Sequence, residues 1–278
     1  MKLGRATLSL LVFFALLAGI GVVWRIGGVD DAQQDSVVEE GPVPLPPVPP
    51  RIAEGGDYDK CLGMIPDDPQ GAANFSDVWQ ANGGGDPAIH CQALALEALG
   101  EPEKSASILE TLAGSGRGTA LTRATIFSQA AEARMVADDA AHAFDDDSKA
   151  LTLDPGNPEM LLDRAVADML LDRNQNAIDD ATAALDADPR RADAYTLRGT
   201  AWRRVERWEL ARDDIDRALL LDPDLPDALL ERGILRQHAH DTRGARADWL
   251  RVTQLSPNTP LADLAEQNLD LLEAGPGR

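Results

Sequence analysis

One stretch of sequence decides the fold: Tyr195-Thr-Leu-Arg-Gly199, followed by Trp202, Ala211, Ile215, Ala218 and Asp222-Pro223. It ends in one of four prolines that recur every 34 residues: Pro155, Pro189, Pro223 and Pro257. A fixed period of this length predicts a solenoid of stacked helical units rather than one compact core. Solenoids of this kind present an extended concave surface, so the period indicates a binding scaffold.

Small and large residues also recur in phase with the prolines. When each proline is placed at position 32, the repeating units are 124–157, 158–191, 192–225 and 226–259. Position 20 is alanine in every unit, position 8 is alanine or glycine, and position 4 is Phe127, Leu161, Tyr195 or Leu229. Small residues that face large ones at helical spacing allow two antiparallel helices to pack closely. The proline then ends the second helix, because its ring lacks a donor and disfavours helix at the preceding residue.

This pattern resembles the tetratricopeptide repeat (TPR), which has Trp, Leu-Gly and Tyr in its first helix, then Ala, Phe, Ala and Pro. The resemblance implies an all-α fold, a right-handed α-solenoid of helix-turn-helix repeats. Residues 87–120 fit the same frame without the closing proline, so we interpret them as a degenerate repeat of an array that spans 87–259. Residues 260–274 predict one amphipathic helix that caps the last apolar face.

A long apolar segment lies near the N-terminus. Lys2 and Arg5 precede an uncharged stretch, Ala6 to Trp24, which as a helix would span roughly 28 Å, close to the hydrocarbon thickness of a bilayer. A cleaved signal peptide is the alternative, but the stretch is long for one and no clear small-x-small cleavage site follows. We therefore predict a transmembrane signal-anchor over residues 1–26, with the residues beyond it exported. The expected location is the inner membrane, single-pass, with the repeats in the periplasm; a cleaved, secreted form is the alternative.

The segments between this anchor and the repeats differ in composition. Residues 27–56 are acidic and then proline-rich, which predicts a linker with a polyproline II spacer; a docking motif for a proline-recognising domain is the alternative. Residues 57–86 are rich in glycine and proline and are expected to be irregular, with a short helical stretch near 75–80. The chain has two cysteines, Cys61 and Cys91. An even count on the exported side predicts a disulfide that fastens this segment to the first repeat.

Composition and motifs restrict the function further. The net charge of −21 argues against nucleic acid as a partner, because phosphate would be repelled. No phosphate-binding glycine loop, Gly-x-Ser-x-Gly or His-Glu-x-x-His sequence occurs, so we predict no enzymatic activity and no cofactor. His238 and His240 lie two residues apart, which on a helix separates them by about 200° and argues against a shared metal ion unless the helix breaks there. No metal site is therefore predicted.

Two charged positions recur with the repeat. Position 7 is Arg164, Arg198 or Arg232, and position 23 is Asp146, Asp180, Asp214 or Asp248. Arginine on a packed helix face is unfavourable unless a carboxylate pairs with it. The recurrence therefore predicts an Arg–Asp pair between the two helices of each repeat, a structural role rather than a ligand site.

The resemblance also indicates where a ligand would bind. In TPR domains the concave face comes mainly from positions 2, 5, 9, 12 and 13 of the first helix. From these positions we select as candidate groove residues Met135, Val136, Leu162, Val166, Met169, Leu170, Thr196, Thr200, Arg203, Arg204, Leu230 and Ile234. Packing against the neighbouring repeat is the alternative role for the apolar members. The Lys/Asn/Arg clamp by which chaperone cofactors of this family bind a C-terminal carboxylate is absent, since Ser128, Glu132, Asp163, Asp193 and Leu197 occupy its positions.

The function expected from these observations is that of a membrane-tethered scaffold. Its groove would bind a peptide or protein partner in the periplasm, and its N-terminal helix would hold it in the membrane. Two alternatives remain open: a factor that holds client chains, similar to the TPR subunits of cytochrome c maturation, and a non-catalytic accessory subunit of a cell-envelope enzyme.

Overall fold

A computed structural model describes residues 51–274, and every regular element within this range is an α-helix. The helices follow one another in chain order and pack as a single all-helical solenoid. They are α1 Gly56–Met64, α2 Pro69–Ala81, α3 Gly85–Ala98, α4 Pro102–Gly114, α5 Ala120–Val136, α6 Ala140–Leu153, α7 Pro158–Leu170, α8 Asn174–Ala187, α9 Ala192–Arg204, α10 Trp208–Leu221, α11 Pro226–His238, α12 Thr242–Leu255 and α13 Pro260–Ala274.

Each boundary of the regular helix pairs has a local cause. In three of the four units the second helix ends just before the aspartate that precedes the recurring proline. Asp188 and Asp222 have ψ of 97° and 98°, the extended conformation that a following proline favours. Asn157 caps the N-terminus of α7, and its side chain accepts hydrogen bonds from the backbone of Glu159 and Met160. The turn inside each pair contains a residue in the left-handed conformation, with φ of 59° to 61°, at Asp138, Asp172, Glu206 and His240.

Close packing within a pair requires a small residue at position 8. A Cβ atom added at Gly233 would lie 2.2 Å from Nε1 of Trp249, and one added at Gly199 would lie 2.9 Å from Cδ1 of Ile215. Both distances are shorter than side chains tolerate. The side chain at position 24 of the second helix therefore packs into the space that the absent Cβ leaves at position 8 of the first helix. The indole of Trp249 also donates a hydrogen bond to the Leu230 carbonyl oxygen at 3.2 Å, which fixes its orientation.

The first helices of successive pairs also contact one another: α5 touches α7, α7 touches α9, and α9 touches α11. Helices on the inside of a curved stack lie closer together than those on the outside. The first helices therefore form the inner, concave layer and the second helices form the outer layer.

The Arg–Asp pairs predicted from the recurrence are present. Nε of Arg198 lies 2.7 Å from Oδ2 of Asp214, and Nη2 lies 2.8 Å from Oδ1. Arg164 with Asp180 and Arg232 with Asp248 repeat this two-point contact. The unit 124–157 has alanine at position 7 instead, so Asp146 accepts a hydrogen bond from Lys149 at 2.8 Å.

The prediction of an irregular segment over residues 57–86 is wrong, although the short helical stretch expected near 75–80 does lie within α2. Two helices, α1 and α2, occupy most of it and pack on α3. The aspartate before Pro69 caps α2, and proline suits the first turn of a helix because its missing N–H has no partner there in any case. Burial of Tyr58 and Leu62 compensates for the low helix propensity of the neighbouring glycines.

The predicted disulfide is confirmed, because Cys61 and Cys91 are bonded and both are fully buried. Beside it lies a buried hydrogen-bonded chain that the sequence did not reveal. The Tyr58 hydroxyl lies 2.8 Å from Nδ1 of His90, and Nε2 of His90 lies 2.7 Å from Oε1 of Gln129. Gln129 is an acceptor there, so His90 donates from Nε2 and accepts at Nδ1 as a neutral imidazole. This chain ties α1 and α3 to α5.

The predicted signal-anchor, residues 1–26, lies outside the described residues, as does the linker up to residue 50. Among the helices between residues 51 and 274, none combines the length and apolar character needed to cross a bilayer.

Candidate functional site

The structure places the twelve predicted groove residues in two groups. Seven are at least partly exposed on the inner helices: Met135, Val136, Leu170, Thr200, Arg203, Arg204 and Ile234. Five have less than a tenth of their surface exposed: Leu162, Val166, Met169, Thr196 and Leu230. Leu162 and Met169 belong to apolar clusters that join neighbouring repeats. For these two residues the structure shows packing between repeats, while direct contact with a ligand stays a prediction.

A cleft of about 760 Å³ lies at the end of the inner layer where the helix pairs turn. Its walls include Met169, Leu170 and Arg204 from the predicted set, together with Asp138 and Asp172 from the turns. Nη1 of Arg204 donates a hydrogen bond to the Met169 carbonyl oxygen at 2.7 Å, so the arginine bridges two repeats. The cleft thus joins polar and apolar groups from three successive repeats.

Acidic side chains on the inner helices are the main feature that sequence reasoning missed. Each first helix from α3 to α11 carries at least one: Glu97, Glu132, Glu159, Asp163, Asp193, Asp227 and Glu231. The signal was present in the sequence, since position 2 is acidic in three successive units and position 6 is acidic in two of the four. The solenoid concentrates part of the negative charge of the chain on one face, where it adds to the local potential.

Arginines of the chain itself pair with several carboxylates in the C-terminal part of this face. Arg191 donates to Glu159 at 2.6 Å and to Asp193 at 3.1 Å, which links two repeats. Arg203 donates to both carboxylate oxygens of Glu231, at 2.6 and 3.0 Å. These contacts satisfy the acidic groups electrostatically and fix them in place.

The electrostatics differ around Glu132 and Asp163. Desolvation within the concave face, followed by repulsion from Asp163, Glu97 and Glu159, raises the pKa of Glu132 to about 8. Desolvation, followed by repulsion from Glu159, raises the pKa of Asp163 to about 7. Water reaches the exposed carboxylate of Glu132 and moderates the effect on its pKa without reversing the direction. In this part of the face, negative charge therefore outweighs the positive charge that surrounds it.

Within residues 51–274, no group of three or more His, Cys, Asp or Glu side chains is arranged to hold a metal ion. The inner face presents hydrogen-bonding, charged and apolar side chains.

No protein-family model matches the sequence, and no curated protein matches it. Solved structures do match the fold. Pseudomonas aeruginosa pilF superposes with a TM-score of 0.59 at 13% identity over 77% of this chain and 96% of its own. The chain has the fold of a TPR protein.

Two further solved TPR proteins agree with this assignment. A thermophilic TPR protein of Thermus thermophilus gives a TM-score of 0.55 at 16% identity, over 67% of this chain and 100% of its own. YrrB, described as a TPR protein with an unusual peptide-binding site, gives 0.50 at 16% identity, over 70% of this chain and 97% of its own. At such identities the likeness concerns the fold.

Proposed function

We propose that this chain is a membrane-tethered TPR scaffold whose concave face binds a segment of a partner protein in the periplasm. The observation that supports it best is the continuous inner layer of first helices, which presents polar, charged and apolar groups along one curved face. A peptide-binding site is stated for YrrB, which shares the fold. A curved face of many shallow contacts suits an extended chain better than a small molecule.

Two observations support export and tethering. The uncharged stretch from Ala6 to Trp24 is long enough to cross a bilayer and follows Lys2 and Arg5. The Cys61–Cys91 disulfide suits an oxidising compartment such as the periplasm. The full chain should fractionate with membranes and resist carbonate extraction. A mature N-terminus beginning just after Ala18 or Gly21, found by mass spectrometry, would show cleavage instead.

Site-specific photocrosslinking in intact cells tests the binding face. A photoreactive residue replaces Val136, which is 42% exposed at the end of inner helix α5, or Leu220, which is 70% exposed on outer helix α10. We expect a discrete protein adduct from position 136 and none from position 220. Equal adducts from both positions, or none from position 136, would contradict binding through the concave face.

A further inference from the structure

At position 6 of the first helix, one repeat has a carboxylate without the arginine partner that the equivalent carboxylate of another repeat has. Glu231 stands at position 6 of its unit and is held by Arg203, which stands at position 12 of the preceding unit. Asp163 also stands at position 6, but position 12 of the preceding unit is Met135. No described residue donates a hydrogen bond to Asp163 or forms an ion pair with it. The site thus has the carboxylate of the Arg203–Glu231 pair without the guanidinium.

A second carboxylate, fully buried, lies behind the same place. Asp147 has no exposed surface, and neither of its carboxylate oxygens accepts a hydrogen bond. It stands at position 24, where Ile215 and Trp249 of other repeats point at position 8 of the inner helix. Position 8 of its own repeat is Ala131, directly before Glu132. The charges that act most strongly on Asp147 are those of Asp163 and Glu132, so its side chain lies close beneath them, and burial followed by their repulsion raises its pKa well above the usual range.

We propose that Glu132 and Asp163, with Asp147 behind them, bind an arginine or lysine side chain of the partner. This inference rests on the proposed function and defines the chemistry of the partner as a cationic segment. The three carboxylates are not placed to chelate a metal ion, whereas a guanidinium is broad enough to donate to separated carboxylates. The pair formed by Arg203 and Glu231 shows that this face accommodates such a group.

The charges that surround the site determine how binding depends on pH. The groups that face it are Glu97 on α3, Asp146 on α6, Glu159 and Arg164 on α7, and Arg191 and Asp193 at the start of α9. Without the partner, desolvation followed by repulsion from Asp163, Glu97 and Glu159 raises the pKa of Glu132 to about 8. A proton therefore competes with the cationic side chain at neutral pH. Affinity should increase as the pH rises through about 7 to 8, because deprotonation creates the charge that is recognised.

The test uses the full chain and a fluorescent peptide of alternating arginine and serine, with a glutamate–serine peptide of equal length as control ligand. Fluorescence anisotropy measures binding at about pH 8.5 and low ionic strength, where surface charges are least screened. We expect the arginine peptide to bind at least about tenfold more tightly than the glutamate peptide. The double variant Glu132→Gln/Asp163→Asn should weaken binding of the arginine peptide about tenfold or more.

Two matched controls separate the site from general electrostatics. Asp145→Asn/Asp213→Asn removes the same charge from exposed positions on the outer helices α6 and α10, and it should change affinity less than about twofold. Met135→Arg supplies the missing guanidinium within the chain, so it should weaken binding about tenfold more than Met135→Leu does.

The proposal is overturned if the arginine peptide binds no more tightly than the glutamate peptide. It is also overturned if the outer-helix variant weakens binding as much as Glu132→Gln/Asp163→Asn does. Crosslinking from position 136 distinguishes this failure from failure of the proposed function. A persistent adduct with no preference for arginine would leave a scaffold that recognises another chemistry.

Discussion

Replacing Arg198 with methionine should lower the free energy of unfolding by about 2–4 kcal/mol. The substitution keeps much of the aliphatic volume and removes two hydrogen bonds to Asp214, at 2.7 and 2.8 Å. Asp214 is only 8% exposed, and breaking a buried ion pair from one side costs about 3–5 kcal/mol. The Arg198 side chain is 20% exposed, so water partly solvates the remaining carboxylate and reduces that value. The lost bond to Thr182 at 3.2 Å also weakens the contact with the preceding repeat.

Urea unfolding followed by circular dichroism measures this change, with the transition analysed as coupled repeats, because solenoids can unfold in parts. The control is Arg251→Met, which breaks an exposed pair whose side chains are 44% and 59% exposed, and it should cost less than about 1 kcal/mol. The double variant Arg198→Met/Asp214→Leu should recover most of the loss, because neither charge is then left unpaired. If Arg198→Met is no more destabilising than Arg251→Met, the recurring pairs do not maintain the helix packing and the reasoning fails.

Three further outcomes are expected. Cys61→Ser should lower the unfolding free energy by about 3–4 kcal/mol, because the disulfide closes a loop with a sequence separation of 30; thermal melts with and without reductant measure the change. Val166→Glu should destabilise the fold because Val166 is only 7% exposed and the new charge would be buried. The loss should be at least that of Ala177→Leu, in which overpacking of a helix contact should lower the unfolding free energy by about 1–3 kcal/mol. Equal melting temperatures of Val166→Glu and wild type would contradict this. Burial lowers the pKa of His90, so protonation favours the unfolded chain. The unfolding free energy of the wild type should therefore fall as the pH drops through about 6.5. The His90→Gln variant should lose less unfolding free energy over the same pH interval.

The sequence predicted the repeats well because their signals are local and periodic. A proline ends each second helix by its own covalent geometry, and small residues at positions 8 and 20 permit the contact with the paired helix. The charges at positions 7 and 23 recur on opposite helices of one hairpin, so their pairing followed from the period alone. The two helices at 56–81 were missed because glycine-rich segments have low helix propensity. Packing on α3 and the disulfide, which link residues distant in sequence, stabilise them instead.

The candidate site could be predicted only in part, because it too depends on contacts between residues that are distant in sequence. The inner positions of each helix follow from the repeat, but whether a side chain is reachable depends on the curvature of the stack. Leu162 and Val166 occupy inner positions, yet less than a tenth of the surface of each is exposed. The acidic residues recur visibly in the sequence, but which of them are neutralised was hidden, because the arginine that pairs with a carboxylate can belong to a different repeat. Arg203 and Glu231 are 28 residues apart, and no hairpin-level pattern joins them.

The residues at position 6 provide a comparison within a single chain, since the same place on the inner layer is used in four ways. Gln129 bonds to buried His90 of the preceding repeat, Leu197 packs into two apolar clusters, and Glu231 is held by an arginine. Each of these contacts satisfies the chemistry of its side chain from a neighbouring repeat.

Asp163 is the member of this set whose carboxylate receives no hydrogen bond or ion pair from residues 51–274, and desolvation together with the acidic groups around it raises its pKa. An unneutralised charge in a desolvated place weakens the free protein, and a cation that binds there removes that penalty. The unpaired carboxylate that lowers the stability of the free protein would therefore also make this site prefer an arginine or lysine over any neutral side chain.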